Sequence, residues 1–411
     1  MSKKKVPELR FKGFTEDWEQ RKVKSISEKT YGGGTPKTKM TEYWQGDFPW
    51  IQSSDLKVGE LNEVKPQKFI TEEALKNSAA KAIPKNSIAI VTRVGVGKLA
   101  YLKYPYSTSQ DFLSLSVLTV DPLFGVYGLY KLIKKELNNI QGTSIKGMTK
   151  SDLLNKKLYI PFTLEEQKQI GTFLKTLDNT IALHQEKLEK LKQLKKGYLQ
   201  VMFPQKGEKV PQLRFANFSQ DWKQRNLNEL MDFSNGINAP KENYGSGRKM
   251  ISVMDILSTD HLVYENILNS VNVSKQTEEK NKVEFGDMIF VRSSEIIEEV
   301  GWAKAYLDEN YALYSGFSIR GKRKEKYDPI FVEHSLNGIS RKQIERKAGG
   351  STRFNVSQEV LNSLLIQTPS FEEQIKIGTF LKELDTTTFL QKKKISILKN
   401  IKQELLKKIF I

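Results

Sequence analysis

No cysteine occurs among the 411 residues. Disulfides, thiol nucleophiles and cysteine-ligated zinc are therefore excluded, and the usage suits a reducing cytoplasm. Histidine is nearly as scarce. His184, His261 and His334 stand alone, no two of them at a metal-ligand spacing. No stretch approaches 18 uninterrupted apolar residues, so no membrane-spanning helix is expected. The start, MSKKKVPELRF, has a basic head with no apolar run behind it, unlike a secretory signal. No GxxxxGK[ST] loop is present, and no GxGxxG opens a helix. Gly95-Val96-Gly97-Lys98 has the wrong spacing and no hydroxyl residue after the lysine. The run Gly32-Gly33-Gly34-Thr35-Pro36 either cradles a phosphate or is a flexible turn. No nucleophile–base or paired-carboxylate arrangement stands out, so we expect no catalytic or metal site in this chain. Acidic residues are in deficit, 48 against 66 Lys+Arg, which leaves a net charge of +18. That balance favours a polyanionic partner, nucleic acid before an anionic membrane surface.

What the sequence does have is a duplication. Leu164 to Phe203 returns without a gap as Phe371 to Phe410, 207 residues later. The identical positions spell EEQ, then IGTFLK, then LD, from Glu165 to Asp178 and from Glu372 to Asp385. Each copy alternates apolar steps of four and three, the seam of a coiled coil. The seam runs through Ile170, Leu174, Leu177, Ile181, His184, Leu188 and Leu191, then through Lys195, Tyr198 and Met202. The second copy offers Ile377, Leu381, Leu384, Thr388, Gln391, Ile395, Leu398 and Lys402 at the same places. An apolar stripe cannot face water, and the other copy is its simplest partner. For helix pairing we single out Ile170, Leu174, Leu177, Ile181, Leu188, Leu191, Ile377, Leu381, Leu384, Ile395 and Leu398. A helix from Glu166 to Phe203 would be roughly 57 Å long. His184 reads as a buried polar residue that sets register, or as a merely exposed histidine, before it reads as catalytic.

The repeat is larger than the helix. VPELRFKGFTEDW from Val6 returns as VPQLRFANFSQDW from Val210, 204 residues on, so the chain is two tandem halves. Pro204 and Gly207 mark the hinge after the first helix, and the N-terminal segment is the same linker left free. That circular logic predicts that the first lead-in segment docks on the C-terminal helix. The globular middles share a pattern and little identity. Short β-type runs (Ile88–Thr92, Leu113–Val120, Met288–Arg292, Gly316–Arg320) precede helical stretches at 126–139 and 329–346. We expect an α+β fold with mainly antiparallel, irregular sheets. The predicted division is a first domain at 1–162, a long helix at 163–205, a second domain at 206–369 and a long helix at 370–411. Trp18, Trp44, Trp50 and Trp222 are expected in core or interface packing.

Two unlike domains alternating with two near-identical helices, each carrying EEQxxIGxFLxxLD, resemble the specificity subunits of type I restriction–modification systems. PxLRFxxFxxxW lead-in segments and GGGTPKT…YWQGDFPWIQSSDL (Gly32 to Leu56) add to the resemblance, which covers essentially the full length. The resemblance implies a non-catalytic DNA reader in the bacterial cytoplasm. Each domain would be a target-recognition domain for half of a bipartite, asymmetric double-stranded DNA target. The helices would pair antiparallel, fix the spacer between half-sites and dock two methyltransferase subunits that methylate adenine N6. Restriction motor subunits would join them in defence against foreign DNA. No cofactor is expected in this chain, and S-adenosylmethionine, ATP and Mg would sit in the partner subunits. The competing class is a coiled-coil scaffold whose domains bind protein. The second domain departs from the pattern, with Ser234-Asn235-Gly236 and Tyr244-Gly245-Ser246-Gly247-Arg248 where the GTP…YW signature would stand.

Base reading needs polar groups on loops, and phosphate gripping needs Lys, Arg, Ser, Thr and backbone N–H. In the first domain the DNA-binding candidates are Gly33, Gly34, Thr35, Lys37, Lys39, Ser53, Ser54, Arg93, Lys98, Ser109, Gln110, Thr143, Ser144 and Lys146. In the second they are Arg248, Lys249, Arg292, Ser293, Ser294, Tyr314, Ser315, Ser351, Thr352 and Arg353. Arg93 and Arg292 follow the same strand, and Lys146 and Arg353 share an offset. The lysine runs at 187–196 and 392–394 read as solvated helix faces, or as contacts to spacer phosphates.

Overall fold

The computed structural model describes residues 6–139 and 148–411. The chain forms two compact units, Met1–Gln185 with Lys394–Ile411, and Glu186–Lys393. Each is an α+β domain packed on part of both long helices.

In the first unit a four-stranded antiparallel sheet runs Ser27–Gly32, Phe112–Leu118, Ser87–Val91, Leu99–Leu102 in spatial order. Every residue of the central strand Ser87–Val91, SIAIV, is buried. β-branched side chains suit such a two-sided position. A smaller sheet, Lys68–Ile70, Phe48–Ile51 and Ser107–Thr108, contains one parallel pairing, Trp50↔Ser107 and Ile51↔Thr108. The helix Pro122–Asn139 covers the larger sheet; Asp121 Oδ1 accepts the Phe124 N–H at 2.9 Å and starts it. Trp18, Trp50 and Trp222 are buried and Trp44 is half-buried, as packing residues.

The second unit repeats this plan. Its four strands run Met231–Asn235, Ser318–Arg323, Met288–Val291, Ala303–Ala305, and its small sheet again pairs one strand parallel, Met250↔Leu313 and Ile251↔Tyr314. The helical stretch expected at 329–346 is two helices, Pro329–Asn337 and Arg341–Lys347. The chain turns at Gly338, whose N–H closes on the His334 carbonyl at 2.9 Å. In this unit Ser293–Ser294 also pairs with Phe354–Asn355.

The long helices are Leu164–Val201 and Phe371–Ile409. In the second unit Lys195 pairs with Asp385 and Tyr198 packs edge-on to Phe380 at 4.8 Å, so one helix ascends as the other descends. In the first unit the partner pair is Asp178 with Lys402. These are the two seam lysines. A charge in an apolar seam needs a counter-charge, and each finds the motif's aspartate on the other helix. None of the eleven seam residues singled out for pairing is exposed.

The repeated motif is a structural anchor. Arg10 grips Glu166 with two bonds of 2.7 and 2.8 Å, and Arg214 grips Glu373 with the same two distances. Gln167 and Gln374 accept the N–H of Asp121 and Asp328, the residues that start the domain helices. Each long helix then ends by inserting a phenylalanine into a domain core. Phe410 lies 6.4 Å from Trp18, and Phe203 lies 5.9 Å from Trp222. The circular logic holds in both units: Leu9 N–H donates to the Lys408 carbonyl at 3.1 Å, and Leu213 N–H to that of Val201 at 2.9 Å.

Candidate nucleic-acid interface

In the first unit the small parallel pairing gathers four loops at one edge of the domain. Gly34 N–H donates to the Thr108 carbonyl at 2.8 Å, and Ser109 N–H to that of Ile51 at 3.0 Å. Thr35 Oγ1 meets Gln110 Oε1 at 2.9 Å, and Lys98 Nζ reaches the Ser53 carbonyl at 2.8 Å. The candidates Gly33–Lys39, Ser53–Ser54, Arg93–Lys98 and Ser109–Gln110 are thereby brought together. A Cβ at Gly33 would stand 1.9 Å from the Ser109 carbonyl oxygen and one at Gly34 2.0 Å from that of Ala79. The glycine run is thus required by close backbone packing. The Gly34 N–H is also committed within the domain, so it is not a free phosphate donor.

The outward-facing members are Lys37, Lys39, Ser54, Arg93 and Gln110, all exposed. Ser109 is buried and contributes packing. Thr143, Ser144 and Lys146 lie outside the described residues. Two further cations join this edge that the loop pattern did not single out. Lys150 Nζ sits 2.8 Å from where a Gly32 Cβ would be. Burial, then the neighbouring Arg93 and Lys81, lower the Lys150 pKa from its ordinary value. The three cations carry no carboxylate partner among the described residues. Their convergence is a tertiary event, since Lys81, Arg93 and Lys150 come from three separate segments.

The second unit repeats the backbone frame with other side chains. Ile237 N–H donates to the Tyr314 carbonyl at 2.9 Å, Ser315 N–H to that of Ile251 at 3.0 Å, and Arg292 N–H to that of Phe317 at 2.9 Å. The last matches Thr92 N–H on the Asp111 carbonyl at 2.8 Å. Ser351, Thr352 and Arg353 are exposed, on the turn leading into the strand that pairs with Ser293–Ser294. Arg292 is half-buried and reaches the Gly316 carbonyl at 3.3 Å. Four candidates need correction. Tyr314 and Ser315 are buried, the tyrosine hydroxyl held by Ser234 and the Asn235 carbonyl, so both belong to the core. Arg248 is spent on Glu278 and on Tyr311, whose ring it overlies at 4.2 Å. Lys249 is spent on the Ile267 carbonyl at 2.6 Å.

Behind these loops each domain is tied to its helix by the motif aspartate. Tyr127 donates to Asp178 at 2.6 Å, and His334 takes the equivalent place against Asp385 at 2.9 Å. Burial opposes ionisation of Asp385, but His334 and Lys195 outweigh it and hold the carboxyl at about 2.

A sequence model described as the type I restriction modification DNA specificity domain matches residues 15–193 and again 219–400. The chain belongs to that family. Both copies of the domain end on the repeated helix, and the two matches reproduce the duplication. Among relatives, the MjaIX specificity subunit of Methanocaldococcus jannaschii is 32% identical over 55% of this chain. That alignment spans about half the relative's own length, 54%. The MjaVIII specificity subunit of the same organism is 24% identical over 95% of this chain and 91% of its own. Among solved structures, the type I S subunit of M. genitalium superposes with a TM-score of 0.65 at 18% identity, covering 99% of both chains. The last likeness is one of fold. This chain and the M. genitalium subunit thus share a fold, while the edge loops of this chain differ between its own halves. Among the described residues no helix is long and apolar enough to cross a membrane.

Proposed function

We propose that this chain is the DNA-reading, non-catalytic subunit of a type I restriction–modification complex. Each domain reads one half of a bipartite target with its edge loops, and the long helices hold the two half-sites at a fixed spacing. The observation that carries this reading is the pairing of one repeated backbone frame with two different sets of edge side chains. Such a frame suits two unlike half-sites on one double-stranded DNA. A 38-residue helix is about 57 Å long, enough to bridge one or more turns of duplex. Methyltransferase subunits would dock on the exposed helix faces and methylate adenine N6 with S-adenosylmethionine. Restriction subunits using ATP and Mg would cleave DNA left unmethylated. Such a complex would act in the bacterial cytoplasm.

Base-resolution methylation sequencing of a host expressing the chain with its methyltransferase tests this. The expected result is N6-methyladenine at one gapped, asymmetric motif that vanishes when the chain is deleted. No motif, with the methyltransferase active alongside another specificity subunit, would overturn the reading. Exchanging residues 27–160 for another member's domain should change one half-site only, since the second domain keeps its own loops. A change in both halves would contradict independent reading.

The cation cluster gives a second expectation. If Arg93 and Lys150 each hold a phosphate, Arg93→Ala and Lys150→Ala should each weaken duplex binding equally for all sequences. Each should also reduce the log–log salt slope by about 1. Loss confined to one sequence would assign base reading instead.

A further inference from the structure

The two units carry equivalent cavities of opposite electrostatic character. In the first unit a cavity of about 380 Å³ lies between the loop Val58–Glu63 and the paired helices. Its wall carries three carboxylates, Glu60, Glu63 and Asp178, and two lysines, Lys399 and Lys402. In the second unit the counterpart holds about 690 Å³ and is lined by six lysines, His261, His334 and only two carboxylates, Glu333 and Asp385.

The repeat shows where the change was made. At the 207-residue offset, Ile181 of the first cavity becomes Thr388, Gln185 becomes Lys392, and Gln403 stands where the second cavity has Lys196. The first unit pairs its helices with the neutral residues, so helix pairing does not call for the cations. Of the six lysines, Lys195 is held by Asp385, Lys304 by Glu333 at 3.6 Å and Lys192 by Glu189 at 2.6 Å. Lys196, Lys342 and Lys392 have no such partner among the described residues. Like charges gathered without a counter-ion repel. The Thr388 hydroxyl is buried in the wall with no hydrogen-bond partner, an uncommon and costly state. His261 meets Thr386 Oγ1 at 3.3 Å, and burial followed by Lys304 lowers its pKa, so it adds a neutral donor or acceptor to this wall. Trp302, Phe389 and Ile339 supply an apolar side.

We propose that this cavity of the second unit binds a small phosphate-bearing molecule of nucleotide size, its phosphate held by Lys196 and Lys392 and its apolar body against Trp302. Ammonium groups without a counter-ion match phosphate oxygens, and the volume lies in the range of small-molecule sites. The site stands apart from the edge loops, so it does not depend on the DNA reading.

Isothermal titration calorimetry of the full chain with adenosine 5′-monophosphate at about 0.15 M salt tests it, where exposed charge pairs are screened. The expected dissociation constant is on the order of 10 μM, with displacement by inorganic pyrophosphate. The double variant Lys196→Gln with Lys392→Gln, which installs the first unit's residues, should weaken binding at least about tenfold, or about 1.4 kcal/mol. Gln185→Lys with Gln403→Lys should leave it unchanged. Circular dichroism on each variant confirms folding. No binding of the wild-type chain by 1 mM nucleotide, no displacement by pyrophosphate, or unchanged affinity in the Lys196/Lys392 variant overturns the proposal. Loss of duplex DNA affinity alone in that variant also overturns it and assigns the lysines to a DNA-facing surface.

Discussion

Gly171→Val is expected to destabilise the first unit by about 3 kcal/mol, the upper end for an overpacked contact. Gly171 is the glycine of the IG pair, at the crossing of the long helix and the domain helix. A Cβ there would lie 2.7 Å from both Leu123 Cβ and the backbone nitrogen of Phe124. The nitrogen cannot move aside, because its N–H is fixed by Asp121 at 2.9 Å. Asp121 in turn donates its own backbone N–H to Gln167 Oε1 at 2.9 Å, one turn back along the long helix. Separating the helices would therefore also break the glutamine bond. Thermal unfolding of the variant should show an early transition, with the second unit's transition in place. Gly197→Ala is the control. Gly197 lies in the same helix with nothing within 4 Å of its Cβ position. Alanine there should add about 0.5–1 kcal/mol through helix propensity. Equal effects from the two substitutions would show that propensity, and not the helix crossing, governs this position.

Glu373→Gln is expected to cost about 3–5 kcal/mol, the loss seen when one partner of a buried ion pair is removed. The Glu373 side chain is fully enclosed and that of Arg214 is 11% exposed. Glutamine keeps the shape but cannot neutralise the guanidinium, whose second contact is the Gln220 carbonyl at 2.7 Å. Adding Arg214→Met should recover most of the loss, because it removes the stranded charge. Denaturant midpoints of the wild type, both single variants and the double variant form the test. A Glu373→Gln variant with the wild-type midpoint would mean that water reaches the pair. Glu166→Gln should behave alike in the first unit, where the glutamine Oε1 can still accept the Trp18 indole N–H now held at 3.3 Å.

Both experiments address residues that look, from sequence, like a functional signature. EEQxxIG recurs unchanged, yet Glu166, Gln167 and Gly171 all serve to seat a helix on a domain. The sequence shows that these positions repeat. It does not show that Arg10 is the partner of Glu166, since 156 residues separate them. The edge loops follow the same rule. Arg93 was legible as a loop cation after a strand, whereas Lys81 and Lys150 had no local pattern and became neighbours only through folding. Tyr314 and Ser315 misled for the converse reason. Polar residues after a strand resemble a surface loop, but the parallel pairing Ile251↔Tyr314 draws them inside. Arg248 read as a free cation until Glu278 and Tyr311 closed on it.

By itself the sequence determined the duplication, the two long helices with their seam, the alternation of domains and helices, and the absence of cysteine chemistry. These are properties of period and composition, which the chain carries locally. The tertiary structure decided which charges are spent and which are free. Lys195 and Lys402 neutralise motif aspartates, while Lys196 and Lys392 face an open cavity, although all four are lysines on the same kind of helix. The physical reason is that a charge's role depends on what lies within a few ångströms of it. Here those neighbours come from segments as far apart as Asp178 and Lys402.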